Sequence, residues 1–205
     1  MRPRDLVPPK VVYLVSTNLN KYLEAREVAA SYGLSLAFLR DDAPELQSDD
    51  VAEIAAEGAR WAAEKWDLPV LVEDTGLFIE ALGGFPGPYA SYVLKTIGLK
   101  GVLKLLEGAE GRRAYFRTGL AFCDGRGAEP VVFTGEVHGT IAEAPRGSSG
   151  FGYDPVFVPE EGDGRTFAEM SRAEKNALSH RARALRAFCE WFLAYRGLSR
   201  PAEKP

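Results

Sequence analysis

Two adjacent carboxylates, Glu73 and Asp74, directly follow an apolar run at residues 70–72. Such a run is typical of a buried strand, and neighbouring strand residues point to opposite faces of a sheet. Because a buried carboxylate without a partner is costly, we expect a positive group beside this pair. In open α/β sheets, ligands bind at the edge where such strands end. The alternative is a strand that stops at two solvated acids.

A polar turn, Ser16 to Lys21, follows a predicted strand at residues 11–15 and leads into a helix that begins at about Asn20. A strand–turn–helix unit points backbone N–H groups at whatever occupies the turn, and phosphate is the ligand that best matches such donors. Ser16 and Asn18 can donate hydrogen bonds, and Lys21 supplies a charge. The turn has neither a P-loop nor a GxGxxG motif, so an ordinary capped turn stays open as the alternative.

An aromatic residue, Phe151, stands between two glycines, Gly150 and Gly152. A phenyl ring held this way can offer its face to a flat partner such as a nucleotide base. Asp154 precedes Pro155, which forces it into an extended conformation. The alternative is a glycine-rich turn with a phenylalanine in the core.

Three basic residues, Lys175, His180 and Arg181, interrupt the apolar stripe of a predicted helix at residues 171–196. On one continuous helix, at ~100° per residue, His180 would lie ~140° and Arg181 ~240° from Lys175, so they could not converge on one ligand. We therefore predict a break at which Ser179 becomes a new N-cap and aims the amides of His180 and Arg181 at a site. The alternative is a solvated basic face.

The elements that must position these residues form an alternating pattern. Strands are predicted at residues 11–15, 34–39, 70–72, 115–122, 131–137 and 156–158, and helices at about 20–33, 50–66, 88–98, 100–106 and 171–196. The turn at residues 124–127 indicates a hairpin. Parallel βα units therefore come first and antiparallel strands later, which predicts an α/β fold with a mixed sheet.

Composition limits the class of function. The net charge of −4 argues against a general nucleic-acid or membrane-surface binder, and no apolar run approaches the ~18 residues of a membrane span. The two cysteines, Cys123 and Cys189, predict reduced thiols in a cytoplasmic protein. The length suggests one large domain or two closely packed lobes, which we expect to span residues 11–196, with loose tails at residues 1–10 and 197–205.

Taken together, seven stretches resemble the inosine triphosphate pyrophosphatase family, in wording closest to its archaeal members. They are Ser-x-Asn-x-x-Lys at 16–21, Pro-Glu-Leu-Gln at 44–47, Val-Glu-Asp-Thr-Gly-Leu at 72–77, Gly-Gly-Phe-Pro-Gly-Pro-Tyr at 83–89, Phe-Gly-Tyr-Asp-Pro at 151–155, Thr-Phe-Ala-Glu-Met at 166–170 and Glu-Lys-Asn-Ala-Leu-Ser-His-Arg at 174–181. Each motif is weak alone, but the ordered set is specific and spans nearly the whole chain, from about residue 11 to residue 192.

The resemblance implies an Mg²⁺-dependent hydrolase that cleaves ITP, dITP and XTP between the α and β phosphates, giving a monophosphate and pyrophosphate. It would remove deaminated purine nucleotides from the nucleotide pool. The implied fold is a long mixed β-sheet flanked by helices, in two lobes with a central substrate cleft. Members are usually homodimers.

The resemblance also assigns roles to residues. Mg²⁺ would be held by Glu45 and Asp74, with Glu73 beside them, and Asp74 is the expected general base. Phe151 would stack on the base. The remaining predicted substrate contacts are Ser16, Thr17, Asn18, Leu19, Asn20 and Lys21 for the phosphates, together with Thr75, Gly152, Tyr153, Asp154, Lys175, His180 and Arg181.

Two positions depart from the family pattern. Thr17 stands where many members have glycine, so the phosphate turn is expected to be less permissive. Ser91 stands where many members have a basic residue, and Lys95 is the nearest positive side chain in the sequence. One phosphate contact is therefore missing from the expected set.

Three other functions are compatible with parts of the sequence. A pyrophosphatase of the Maf type would share the fold, but the Phe151 motif and the Ser-His-Arg motif at residues 179–181 argue against it. A non-catalytic nucleotide sensor would be expected to lose acids at the metal site, yet Glu45, Glu73 and Asp74 are all present. A nucleic-acid-binding protein is disfavoured by the acidic isoelectric point of about 5.4.

Overall fold

The computed structural model describes residues 1–44 and 46–201. The strands are β1 (Val11–Val15), β2 (Ser35–Leu39), β3 (Val70–Ile79), β4 (Pro86–Gly87), β5 (Arg113–Cys123), β6 (Val131–Ile141) and β7 (Phe157–Pro159). The α-helices are α1 (Leu19–Ser31), α2 (Val51–Trp66), α3 (Ala90–Thr96), α4 (Gly98–Leu105), α5 (Arg172–Leu178) and α6 (His180–Tyr195).

All the strands join one mixed sheet. Its order is β2-β1-β3-β5-β6-β7, with β4 paired to β3. The β1 strand is parallel to both β2 and β3, and every pairing from β5 onward is antiparallel. The predicted mixed α/β sheet and its hairpin are therefore confirmed, although β5 and β6 are longer than the sequence indicated.

Helices cover both faces of the sheet. On one face, α1 and α6 pack over β1 and β5 around Leu14, Phe122 and Phe188. On the other face, α2 presents small side chains such as Ala59 to the sheet. The sheet has Gly119 under the first turn of α2, and a Cβ there would lie 2.4 Å from the carbonyl oxygen of Val51. The missing side chain thus lets α2 rest directly on β5.

The prediction that the third strand stops at Glu73 and Asp74 was wrong, because β3 runs through both acids to Ile79. The β5 strand pairs with β3 along its whole length and satisfies its backbone on that side. On the other side, the pairing with β1 ends at Leu71, and the pairing with β4 begins at Leu77. Within the described ranges, β3 therefore has an open edge between these two pairings, and both acids lie on it.

The break predicted in the last helix is confirmed. Ser179 is extended, with φ −68° and ψ 152°, and it separates α5 from α6. Its side chain accepts a hydrogen bond from the amide of Ala182 at 3.3 Å, as an N-cap does. Ser171 caps α5 and forms a capping box with Glu174. Local cap chemistry therefore redirects the chain just before His180.

Both ends of the described chain touch the domain. Residues Pro3–Leu6 form a 3-10 turn, and Arg4 lies 3.4 Å from the carbonyl oxygen of Asp124. The guanidinium of Arg200 stacks 4.2 Å from the ring centroid of Tyr32. The limits of the domain, its tails and its two lobes stay predictions. Cys123 and Cys189 are free and buried, and no helix in the described ranges has the length and apolar character to span a membrane.

Candidate active site

The two central acids face opposite sides of the sheet. Glu73 is paired with Leu120, whose side chain packs under α1 and α6, whereas Asp74 is paired with Gly119 on the face that α2 covers. Because both lie on the open edge of β3, one ligand that crosses this edge can reach both carboxylates. The alternation predicted from sequence thus places the acids on either side of an opening in the sheet.

Glu73 is surrounded by positive side chains. The guanidinium of Arg181 donates two hydrogen bonds of 2.7 Å to its carboxylate, and the Nζ of Lys21 lies 3.3 Å from Oε1 of Glu73. Burial by itself raises the pKa of Glu73, but the charges of Arg181 and Lys21 outweigh it and lower that pKa to about 2. The expectation of a positive group beside the acids is met, and Glu73 is ionised at neutral pH.

A third acid, Glu24 on α1, ties the basic residues together. Its two carboxylate oxygens accept from Nη1 of Arg181 at 2.5 Å and from Nζ of Lys175 at 2.7 Å. Only 3% of Glu24 is exposed. Sequence reasoning missed this residue, although a signal existed: Glu24 shares the apolar face of α1 with Val28, one turn later. A charge on a buried helix face requires partners.

Lys175 connects this network to the loop that carries Phe151. Its Nζ lies 2.6 Å from Oδ2 of Asp154, which also accepts the amide of Phe151 at 2.8 Å. Burial raises the pKa of Asp154, and the charge of Lys175 partly offsets this. The ring of Phe151 lies 4.8 Å from Nζ of Lys175 and 5.5 Å from Cζ of Arg181. Gly150 and Gly152 have φ of 72° and 67°, so the loop uses conformations that favour glycine.

The result is a continuous chain of alternating charges across five segments of the protein. It comprises Lys21, Glu73, Arg181, Glu24, Lys175 and Asp154. Lys175 and Arg181 are nearly fully buried, so the alternative of a solvated basic face is wrong. We define these six residues as the charge network.

The cations of the charge network keep donors for a ligand. Arg181 has five N–H donors, of which Nε, Nη1 and Nη2 each use one on carboxylates. Lys175 has three donors and gives one each to Glu24 and Asp154. The carboxylates therefore fix the cations in place without exhausting their capacity to bind a substrate.

The polar turn caps its own helix. Oδ1 of Asn18 accepts the amides of Asn20 and Lys21 at 3.0 and 3.3 Å, and Oγ of Ser16 accepts the amide of Asn18 at 3.0 Å. Within the described ranges, the amides of Thr17 and Leu19 make no hydrogen bond. Backbone contacts to a phosphate at this turn would therefore come from those two residues.

Three other predicted contacts have side chains engaged inside the protein. The Thr75 hydroxyl lies 2.6 Å from that of Thr118. The Tyr153 hydroxyl donates to the carbonyl of Ala90 at 2.9 Å, and burial raises its pKa to about 12. The buried ring of His180 stacks on Phe116, with centroids 4.5 Å apart. Any contact of Tyr153 and His180 with a ligand would therefore come from the main chain.

The environment of His180 predicts a pH-dependent stability. Burial lowers the pKa of His180 well below its usual 6.5, and the charges of Arg181 and Lys175 act in the same direction. Within the described ranges its Nδ1 is buried without a hydrogen-bond partner. The folded protein therefore holds a neutral ring, while the unfolded chain takes up a proton below about pH 6.5.

We expect wild-type protein to lose about 2 kcal/mol more stability than His180→Gln between about pH 6.5 and pH 5, at roughly 1.4 kcal/mol per pH unit for one proton. Urea unfolding of both proteins at several pH values measures the difference. The exposed His138 is present in both proteins and cancels. Parallel pH profiles for the two proteins would show that His180 does not titrate as described.

Asp74 is the predicted metal ligand that the charge network leaves out. No group of three His, Cys, Asp or Glu side chains with metal-binding geometry occurs in the described part of the chain, and Glu45 lies outside it. Mg²⁺ commonly takes only one or two carboxylates and completes its shell with water and substrate phosphates. A half-buried aspartate at an open sheet edge fits that donor set.

Comparisons with known proteins agree with this architecture. A model of the Ham1 family matches residues 12–191. A protein from Methanopyrus kandleri named dITP/XTP pyrophosphatase is 54% identical over 181 residues, covering 88% of this chain and 95% of that protein. A protein of the same name from Hyperthermus butylicus is 52% identical, covering 91% and 96%. The structure of a HAM1 protein from Coxiella burnetii superposes with a TM-score of 0.77 at 32% identity, covering 90% of this chain and 98% of that one.

Proposed function

The chain belongs to the Ham1 family, and on this premise we propose that it hydrolyses dITP, ITP and XTP between the α and β phosphates, releasing the monophosphate and pyrophosphate. The observation that carries this proposal is the opening in the sheet beside Glu73 and Asp74. It has buried cations on one side and the half-buried carboxylate of Asp74 on the other. The dITP/XTP pyrophosphatase relatives, about half identical over most of this chain, support the same reaction.

The phosphates would lie at the start of α1. Lys21 supplies a charge there, and the amides of Thr17 and Leu19 supply donors. Helix N-termini favour negative groups because their amide dipoles add up. Thr17, which replaces a glycine common in the family, leaves the amide in place and adds a hydroxyl.

Asp74, together with Glu45, would hold Mg²⁺, which lowers the charge on the phosphates and favours ionisation of water. Asp74 is also the group we assign to orient the attacking water and accept its proton. Glu73 has a different role in this proposal. Because Arg181 and Lys21 occupy its oxygens, Glu73 positions these cations beside the phosphates.

The base would stack on Phe151, beside Lys175 and Arg181. The donors would be the first amides of α6, at His180 and Arg181, and the loop amides of Gly152 and Tyr153, whereas the amide of Asp154 already donates to the carbonyl of Phe151. A 6-oxo purine presents an acceptor to such donors. An adenine 6-amino group would face them with another donor, at a cost of roughly 1–3 kcal/mol for each buried group left unpaired.

We further propose a cytoplasmic homodimer that removes deaminated purine nucleotides before polymerases use them. The free, buried thiols of Cys123 and Cys189 support a reducing compartment. The competing hypothesis is a sensor that binds the same nucleotides without hydrolysing them. Only turnover separates the two.

Product analysis with dITP at fixed Mg²⁺ tests the reaction. We expect dIMP and pyrophosphate in equal amounts and no inorganic phosphate. Release of inorganic phosphate and dIDP would contradict cleavage between the α and β phosphates. Tight binding of dITP without turnover would favour the sensor.

A further inference from the structure

A groove lies on the Asp74 face of the sheet, apart from the residues assigned to the phosphates and the base. Its volume is about 460 Å³, and it is lined by Ser48, Asp49, Asp50, Val51, Phe78 and Arg117. Among the described residues that line it, Arg117 is the only one with a positive side chain. The groove lies across the sheet from the charge network, where Arg181 and Lys175 are buried.

The strand register places Arg117 beside Asp74. In β3 and β5, Asp74 pairs with Gly119, and Gly76 pairs with Arg117. Asp74 and Arg117 are therefore diagonal neighbours on the same face, and such residues lie roughly 7–8 Å apart. The space above Gly76 is filled by the ring of Phe78 and the backbone of Gly87, and Phe78 lines the groove together with Arg117. A molecule bound next to Asp74 is thus within reach of the guanidinium.

The guanidinium of Arg117 is held by one end only. Its Nε donates to Oε2 of Glu136 at 2.7 Å, and the group lies over the rings of Phe78 and Tyr115. Within the described ranges, neither Nη atom makes a hydrogen bond. The 43% exposure of the side chain leaves these donors accessible. Two N–H donors in a fixed fork match the oxygens of a phosphate.

We propose that this groove receives the pyrophosphate leaving group and that Arg117 binds it. The inference rests on the proposed function and extends it, because a leaving group must exit on the side of Asp74 that the base and the α phosphate do not occupy. It also accounts for Ser91, which stands where many family members have a basic residue. In this chain Arg117 on β5 supplies the cation instead. The carboxylates of Asp49 and Asp50 line the same groove, which favours pyrophosphate bound to Mg²⁺ over the free anion.

The test is product inhibition of dITP turnover at fixed Mg²⁺, with pyrophosphate and dIMP as separate inhibitors. In Arg117→Gln we expect pyrophosphate inhibition to weaken about tenfold or more, the usual effect of losing a hydrogen bond to a charged group. Inhibition by dIMP should stay within about twofold, because the monophosphate binds elsewhere. A merely structural role for Arg117 would change both constants together, and that result would overturn the proposal.

The matched control is Arg113→Gln, on the same face of the same strand. It removes an equal charge from an exposed position four residues away, at roughly 3.3 Å per residue, and should leave both inhibition constants unchanged. If Lys95→Gln weakens pyrophosphate inhibition and Arg117→Gln does not, the contact belongs to α3 and the proposal is wrong. If Arg117→Gln does not fold, Arg117→Lys replaces it. Lysine keeps the positive charge but lacks the forked guanidinium, so we expect pyrophosphate inhibition to weaken by a smaller factor.

The two proposals can fail separately. Absence of pyrophosphate among the products of the wild-type protein would overturn the proposed function. Pyrophosphate release by wild type, with unchanged pyrophosphate inhibition in Arg117→Gln, would overturn the assignment of Arg117 alone.

Discussion

Replacing Asp74 with asparagine is expected to lower kcat for pyrophosphate release from dITP by roughly 10²–10⁴-fold, the usual contribution of a general base. The amide is similar in size but cannot accept the proton of the attacking water, and it is a poorer ligand for a hard cation. Because Asp74 faces away from the charge network, we expect the binding of dITP in the absence of Mg²⁺ and the unfolding midpoint to change little. Initial rates and equilibrium binding of dITP to the two proteins measure these effects.

The control for this variant is Asp42→Asn, which removes a carboxylate from an exposed loop position and should retain full activity. Activity of Asp74→Asn within about threefold of wild type would contradict the assignment of the base, since even modest general-base catalysis contributes about 10²-fold. A large drop in the unfolding midpoint would instead reveal a structural role for Asp74.

Replacing Glu24 with glutamine is expected to destabilise the protein by roughly 3–5 kcal/mol, because it leaves the buried charge network with one positive charge that no carboxylate balances. Lys175 and Arg181 share this carboxylate, and all three side chains are almost completely buried. Glutamine has nearly the same shape as glutamate and keeps one acceptor oxygen. The loss of unfolding free energy therefore reports the contribution of the negative charge. Urea unfolding at neutral pH gives the free energy of unfolding.

Glu27 provides a matched control on the same helix. It pairs with Arg172 at 2.6 Å, but both side chains are 45% exposed. Exposed ion pairs contribute about 0–1 kcal/mol, so Glu27→Gln should have a small effect. Equal destabilisation by the two variants would show that the charge network does not hold the fold as described. Because Lys175 and Arg181 also flank Phe151, Glu24→Gln should in addition raise KM for dITP.

Local chemistry explains what the sequence predicted well. The break before His180 follows from Ser179 acting as a cap, and the start of α1 follows from Asn18. Such caps involve residues within one turn of each other, so a single sequence reveals them. The hairpin of β5 and β6 is local in the same sense.

Non-local pairing explains what the sequence could not predict. The length of β3 depends on its pairing with β5, which begins more than thirty residues later. The two adjacent acids, Glu73 and Asp74, do not indicate that the strand continues through them. The open edge of β3 depends in turn on where β1 and β4 end. The motifs named most of the candidate site residues, but not that Glu73 would be bound by Arg181 or that Glu24 would join them. These pairings arise only when five segments meet.

The product analysis with dITP becomes most informative when it is extended to XTP, dATP, dGTP and dTTP under the same conditions. We expect rapid, Asp74-dependent release of pyrophosphate from dITP and XTP. For dATP and dGTP we expect kcat/KM to be lower by about tenfold or more, because one or more buried donors would be left unpaired. Equal kcat/KM for all five nucleotides would contradict the base selectivity assigned to the Phe151 pocket and leave a general nucleotide pyrophosphatase.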